Sequence, residues 1–174
     1  MPTATVENYV KKILVLSLET KEDEVGMGEI ARGLQVAPGT ATSMIKTLER
    51  EKLVGYKARQ GVTLTAKGRR LGMGMLRRHR IVETFLVETL GLDWTEIHQE
   101  AEELEHAISD KVLERIDQLL GRPRADPHGD PNPSAMGLFT EVVQQSLGRC
   151  AIGESVRVSR VLDQDPQFLS LIHI

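Results

Sequence analysis

From Val6 to Leu18 the apolar residues Val6, Tyr9, Val10, Ile13, Leu14, Leu16 and Leu18 recur at nearly helical spacing, and the run ends in the charged turn Glu19 to Glu24. Residues three and four apart share one face of a helix and can be buried together, so this pattern predicts a first helix. Met27 to Leu34 predicts a short second helix with Ile30, Ala31 and Leu34 inward. A third begins after Gln35 to Pro38, where Pro38 and Gly39 punctuate its start and Met44, Ile45 and Leu48 form its buried stripe. Two short helices joined by a tight turn make a helix-turn-helix. Leu53 to Thr65 then holds two β-prone runs around the loop Ala58 to Gly61, which predicts a small hairpin placed as a wing.

A long helix is predicted from Lys67 to Thr89, with Leu71, Met75, Val82 and Leu86 along one face. Gly91-Leu92-Asp93 breaks the chain, and Trp94 to Leu120 reads as a further helical region with Ile97, Ala101, Leu104 and Ile108 as its core stripe. Apolar positions remain at Ala107, Val112, Leu113, Ile116 and Leu119, and they are expected to bury a twofold-related copy in a homodimer. Arg122 to Pro133 contains four of the seven prolines and reads as a linker. Beyond it, Gly137 to Leu147 predicts a short helix and Val156 to Val161 alternates like a strand. The apolar tail Leu169 to Ile174 arrives before a β domain could be completed, so a truncated or unnatural terminus is expected.

With 174 residues, 40% apolar and 27% charged, the composition is that of an ordinary soluble globular protein. The candidate leader, Ile13 to Leu18, is interrupted by Ser17 and far too short to cross a bilayer. No membrane association and a cytoplasmic location are therefore expected. Cys150 is the single cysteine, which excludes an internal disulfide, a zinc finger and a thiol-rich site. Any metal must be held by nitrogen and oxygen.

The net charge of -3 hides a segregation. Residues 1 to 80 hold 15 Lys+Arg against 8 Asp+Glu, net +7, while residues 81 to 174 hold 7 against 17, net -10. Within residues 44 to 80 the ratio is 11 basic to 2 acidic, a footprint suited to a phosphate backbone, although a solvated basic face reads the same way. Arg69, Arg70, Arg77, Arg78 and Arg80 supply much of it.

His98, Glu102, Glu105 and His106 occupy positions i, i+4, i+7 and i+8 of one helical stretch. That spacing gathers them into an arc of roughly a hundred degrees, centred roughly 120 degrees from the apolar stripe, and such a face can grip a divalent cation. His79 and Glu83 form a second pair one turn apart. The plainer alternatives are a solvated acidic face and a packing histidine in an ordinary i,i+4 contact. His128 and His173 stand apart, in the proline-rich segment and in the tail. For DNA, Pro38, Gly39, Thr40, Thr42 and Ser43 form the leading end of the third helix, where short side chains allow close backbone approach and hydroxyls reach phosphates or base edges. Lys46, Arg59 and Gln60 are candidate phosphate or minor-groove contacts.

The residues Val6-Glu7-Asn8-Tyr9, Ile30-Ala31, Leu48-Glu49-Arg50-Glu51-Lys52-Leu53-Val54, Leu64-Thr65-Ala66-Lys67-Gly68, Arg77-Arg78-His79-Arg80, Glu102-Glu103-Leu104-Glu105-His106 and Pro127-His128-Gly129-Asp130-Pro131-Asn132-Pro133 resemble the metal-dependent repressors of the diphtheria toxin repressor and manganese transport regulator family. The resemblance covers about residues 4 to 135. It implies a mainly α chain: a winged helix-turn-helix over 1–70, a helical metal-binding and dimerisation domain over 71–121, a linker and short helix over 122–145, and a partial SH3-like domain over 146–174. By position it implies a primary metal site of Glu102, Glu105 and His106 with Asn8 from the first helix, and an ancillary site of His79, Glu83 and His98. The sequence departs from the family at Asn8, where relatives carry Met or Asp, and at Lys11, where the manganese subgroup carries a carboxylate. Glu102 stands where iron-responsive members have Cys, so the donors are hard or borderline and suit Mn(II) first, with Fe(II) as the alternative.

The function expected is metal-dependent repression of metal-ion uptake genes by a homodimer on a palindromic operator in double-stranded DNA. Metal would relieve repulsion among Glu83, Glu102 and Glu105 and set two recognition helices about 34 Å apart, one turn of B-DNA. Two rival classes remain open: a winged-helix regulator with an organic effector or none, and a dinuclear metal hydrolase. The hydrolase lacks a further acid or base gathered at the cluster and leaves the basic half unexplained. No enzyme activity is expected.

Overall fold

The computed structural model describes residues 2–139, 144–163 and 165–172, with the side chains of 166 and 172 also outside the description. Two compact units divide at Leu76 and Arg77, inside one continuous helix, and each is described by itself. The elements in order are α1 (Ala4–Thr20), α2 (Met27–Gly33), α3 (Pro38–Arg50), β1 (Val54–Lys57), β2 (Gly61–Leu64), α4 (Ala66–Glu88), α5 (Ile97–Ala107), α6 (Asp110–Leu119) and α7 (Pro166–Ile172).

In the first unit α1 begins at an N-cap in which the Thr3 hydroxyl accepts from the Val6 amide. Val6, Tyr9, Val10 and Ile13 of α1 are buried against Ile30 and Ala31 of α2 and Ala41, Ile45 and Leu48 of α3. The stripe of α3 includes Ala41, while Met44, expected at its centre, is only half-buried at its edge. Each fully buried Ile or Leu contributes about 1.5–3 kcal/mol through loss of apolar hydration, so this face fixes how α2 and α3 pack. The turn between them is closed by the Val36 amide donating to the Ala31 carbonyl, with Gln35 in the left-handed region at φ 54°. Pro38 opens α3 at a position whose amide needs no helical acceptor.

β1 and β2 pair antiparallel in the register Val54↔Leu64 to Lys57↔Gly61, the predicted hairpin. Val25 adds a bridge to Val62, with backbone bonds of 2.9 Å in both directions. This ties the hairpin to the chain before α2, a third edge the sequence did not announce. Gly68, in the first turn of α4, lies so close to the Leu53 carbonyl that a Cβ there would stand 2.0 Å from the oxygen.

The second unit packs Ile81, Val82 and Leu86 of α4 against Ile97 and Ala101 of α5 and Leu113 and Ile116 of α6. The Trp94 to Leu120 region is two helices rather than one, because the chain turns extended at Ile108 and restarts with Ser109 as N-cap, its hydroxyl accepting from the Val112 amide. That break folds α6 back onto the core and corrects one expectation: Leu113 and Ile116 belong to the core of their own unit, leaving Val112 and Leu119 of that set, with Ala107, exposed.

The proline-rich segment also differs from its reading as a linker. Asp126, His128 and Asp130 are buried, the Asp126 carboxylate accepts from the amides of His128 and Asp130, and Asn132 donates to the Pro123 carbonyl. A run of turn residues can be rigid when its polar groups bond one another, and composition alone does not distinguish that from a tether. Gly129, at φ 86°, is covered by Ser159 and Arg160, and the Val161 amide donates to the His128 carbonyl. Val156–Val161 forms no paired strand, and Leu147–Arg149 is a single 3-10 turn. The helix expected over 137–147 falls partly on residues 140–143, which lie outside the described residues; 137–139 and 144–146 are not helical. His173 also lies outside them. Among the described residues, no helix is long and apolar enough to cross a membrane.

Candidate metal centre and DNA-facing surface

α4 presents His79 and Glu83 on one face, and α5 presents His98, Glu102 and Glu105 toward them. His79 is the hub. Its Nδ1 lies 2.7 Å from Glu105 Oε2, and its Nε2 lies 3.0 Å from Glu83 Oε1 and 3.1 Å from His98 Nδ1. The His79 and His98 rings meet edge to face at 4.8 Å between centroids. His98 Nδ1 is 3.2 Å from Glu83 Oε1, and His98 Nε2 is 3.8 Å from Glu102 Oε1. Glu83 and Glu105 are only 2% and 1% exposed, whereas His98 stands 62% exposed at the rim.

Burial raises the pKa of Glu83, but the charge of His79 and hydrogen bonds from His79 and His98 outweigh it and hold the carboxyl below its ordinary range. Carboxylates this deeply buried are costly unless an imidazolium or a metal stands against them. In the protein without metal, the two imidazoles fill that role.

Donor atoms of His79, Glu83 and His98 lie within 4.8 Å of one another, as do those of His79, Glu102 and Glu105, and those of Glu83, Asp126 and His128. Ions of this class bind such ligands at about 2.0–2.2 Å, which places opposite ligands about 4.2 Å apart. Small side-chain adjustments therefore suffice for a divalent cation, and the all-nitrogen-and-oxygen donor set fits one. His106 Nε2 lies 3.5 Å from Glu105 Oε1, outside the tight trio that Glu102 and Glu105 form with His79. Asn8 is half-buried on α1 of the first unit. Sequence reading missed Asp126. Its only signal was the Asp-Pro-His-Gly-Asp string, which looks like turn chemistry.

Asp126 is pushed up to about 7, first by burial and then by the charges of Glu83 and Asp130, against the opposing pull of Arg80 and the Asp130 amide. A carboxyl that keeps its proton to about pH 7 folded, against 3.8 as its reference value, favours the folded state in acid. That contribution is complete below the reference value and lost as pH rises through the folded one. Chelator-treated protein is expected to lose stability relative to Asp126→Asn between about pH 4 and pH 7, by a few kcal/mol at most at about 1.4 kcal/mol per unit. Thermal melts of both proteins across that range check it, and parallel curves refute it.

The arginines of α4 are not a phosphate-binding stripe. Arg77 pairs with Asp117 at 2.7 Å, Arg78 with Asp110 and the Ile108 carbonyl, and Arg80 with Asp126, Asp130 and the Pro131 carbonyl. In the first unit Arg69 pairs with Asp23 at 2.6 Å. These charges hold the protein together. Pro38, Gly39, Thr40, Ser43, Lys46, Arg59 and Gln60 are exposed, while Thr42 is half-buried and its hydroxyl donates to the Pro38 carbonyl at 2.8 Å. A Cβ on Gly39 would meet nothing within 4 Å, so packing within the protein does not require glycine there. Gly39→Ala is therefore expected to keep or raise stability by up to about 1 kcal/mol. Any accompanying loss of DNA affinity in a mobility-shift titration then reports the DNA side of that position.

The sequence matches the iron dependent repressor N-terminal DNA binding domain over residues 1–62 and the iron dependent repressor metal binding and dimerisation domain over residues 65–134. It is 32% identical over 134 residues to the iron-dependent repressor IdeR of Mycobacterium leprae, covering 77% of this chain and 57% of that relative's length. It is 34% identical over 120 residues to the HTH-type transcriptional regulator MntR of Shouchella clausii, covering 69% of this chain and 82% of the relative. Among solved structures, a manganese-dependent transcriptional repressor in complex with manganese superimposes with a TM-score of 0.82 at 41% identity, over 95% of this chain and 76% of the other. The chain thus spans little more than half the length of the mycobacterial relative. With both domains matched in order along most of its length, it belongs to the iron-dependent repressor family, the diphtheria toxin repressor and manganese transport regulator family of the sequence resemblance.

Proposed function

We propose that this protein is a metal-dependent, DNA-binding transcriptional repressor, responsive to manganese, that acts as a homodimer on a palindromic operator of metal-uptake genes. The observation that carries the reading is the burial of Glu83 and Glu105 on the two sides of His79. Acidic side chains on a merely solvated face do not go into the interior. His79, Glu83 and His98 would hold one ion, and Glu102, Glu105 and His106 with Asn8 another, as the family resemblance implies. A bound divalent cation supplies the positive charge that lets these carboxylates stay together when the imidazoles are neutral.

The chain's own residues do the rest. His79 gives up a proton on a ring nitrogen to ligate, so affinity falls in acid. Pro38 to Ser43 bring the exposed start of α3 to the DNA, while Lys46, Arg59 and Gln60 meet the backbone or minor groove. Metal strengthens DNA binding only by favouring the DNA-competent arrangement over the others.

Manganese is preferred because every donor is carboxylate, imidazole or amide, and because the solved relative at 41% identity is described with manganese. Iron is the second reading, favoured by the name of the mycobacterial relatives. The organic-effector and hydrolase alternatives give no reason for buried carboxylates in a chain matched to a repressor family. The test is operator binding with Mn(II), with Fe(II) and with chelator. Coupling of the usual size predicts about 5–150-fold tighter binding with the physiological metal. Equal affinity with metal and with chelator rejects metal control.

A further inference from the structure

The geometry points to a metal position beyond the two that the family resemblance implies, held by Glu83, Asp126 and His128, with Glu83 shared between it and the His79/His98 pair. The inference rests on the metal-responsive reading and deepens it. One donor atom from each of Glu83, Asp126 and His128 lies within 4.8 Å of the others, and all three residues are buried, at 2%, 7% and 3% exposure.

His128 supplies the independent observation. Its Nε2 lies 3.2 Å from the Trp94 carbonyl oxygen, which can only accept, so Nε2 carries the hydrogen of the neutral ring. Nδ1 is then left with a bare lone pair. That atom is buried and has no hydrogen-bond partner among the described residues. A histidine that donates one ring N–H to a backbone carbonyl and keeps the other nitrogen unprotonated is arranged as metal-ligating histidines are. The ring cannot easily turn away, because it stacks on Trp94 at 5.5 Å with 17° between planes.

Asp126 is also oriented in advance. Its Oδ1 accepts from the amides of His128 and Asp130, each at 2.9 Å, which fixes the carboxylate. Its Oδ2 has only a loose 3.5 Å approach from Arg80 Nε. Arg80 keeps the Pro131 carbonyl at 2.5 Å and Asp130 at 3.7 Å if Oδ2 turns to a cation. A backbone-capping role alone explains Oδ1; it does not explain a buried imidazole nitrogen with no partner beside a second buried carboxylate.

The experiment counts Mn(II) bound by the full chain, by calorimetric titration and by metal analysis after gel filtration, for wild type, His128→Gln and Asp126→Asn. The Asn variant keeps the side-chain oxygen that accepts from the loop amides, so it guards against a result caused by misfolding; circular dichroism and melting without metal check both. The expected result is one fewer Mn(II) per chain in each variant. Because Glu83 would bridge two ions, the spin-coupled Mn(II) signal in paramagnetic resonance should also disappear. Wild-type stoichiometry in both folded variants overturns this site alone, leaving the repressor reading intact when operator binding still needs Mn(II). Absence of Mn(II) binding by the wild type overturns the manganese reading itself.

Discussion

Gly68→Ala is expected to unfold or severely destabilise the winged unit. A Cβ at this position would stand 2.0 Å from the Leu53 carbonyl oxygen, 2.9 Å from its carbon and 3.2 Å from Leu64 Cδ2. The carbonyl cannot retreat without loss, because it accepts from the Thr65 amide at 3.0 Å and the Thr65 hydroxyl at 3.1 Å. Overpacking a tight site costs about 1–3 kcal/mol, and each strained or broken hydrogen bond adds about 1 kcal/mol. A loss of about 3 kcal/mol or more is a large part of the roughly 5–15 kcal/mol that holds a domain folded. Gly74→Ala, on the same helix with nothing within 4 Å, is the control and should be neutral or slightly stabilising. Thermal melting of the two variants decides the matter. Equal midpoints would mean that the backbone approach does not govern stability.

The second large effect is expected at Glu105. This carboxylate lies 2.7 Å from His79 Nδ1 and is only 1% exposed, so no solvent replaces it when it is altered. Glu105→Gln keeps the shape and removes the charge. Loss of a supporting group around a metal typically lowers affinity 10–100-fold, and removal of a ligand carboxylate should reach at least the upper end of that range. Calorimetry with Mn(II) measures this directly, and operator binding should become insensitive to metal in the same variant. A Gln variant with wild-type Mn(II) affinity would exclude Glu105 as a ligand. Removing a buried carboxylate need not weaken the fold, because the same change relieves like-charge crowding with Glu102. Metal response and melting temperature are therefore expected to separate.

These two positions also show where sequence reading succeeds. Gly68 stood in the Leu64-Thr65-Ala66-Lys67-Gly68 string that carried the family resemblance, yet the string does not say why glycine is needed. The reason is a contact with Leu53, fifteen positions earlier, which no local pattern contains. Glu105 was legible because two imidazoles and two carboxylates at i, i+4, i+7 and i+8 share one helical face.

The sequence alone determined the order of helices in the winged unit, the position of the hairpin, and the face on which His98, Glu102 and Glu105 lie. All of these follow from short-range periodicity and turn chemistry, which the backbone enforces within a few residues. Tertiary structure alone decided that His79 stands between Glu83 and Glu105, that α6 turns back at Ser109 to bury Leu113 and Ile116, and that the α4 arginines serve acidic partners rather than phosphate. It alone decided, too, that a proline-rich run expected to be a tether packs as a buried loop carrying Asp126 and His128 to Glu83. Burial and charge pairing depend on residues distant along the chain, and a charge read in sequence does not reveal which opposite charge will neutralise it.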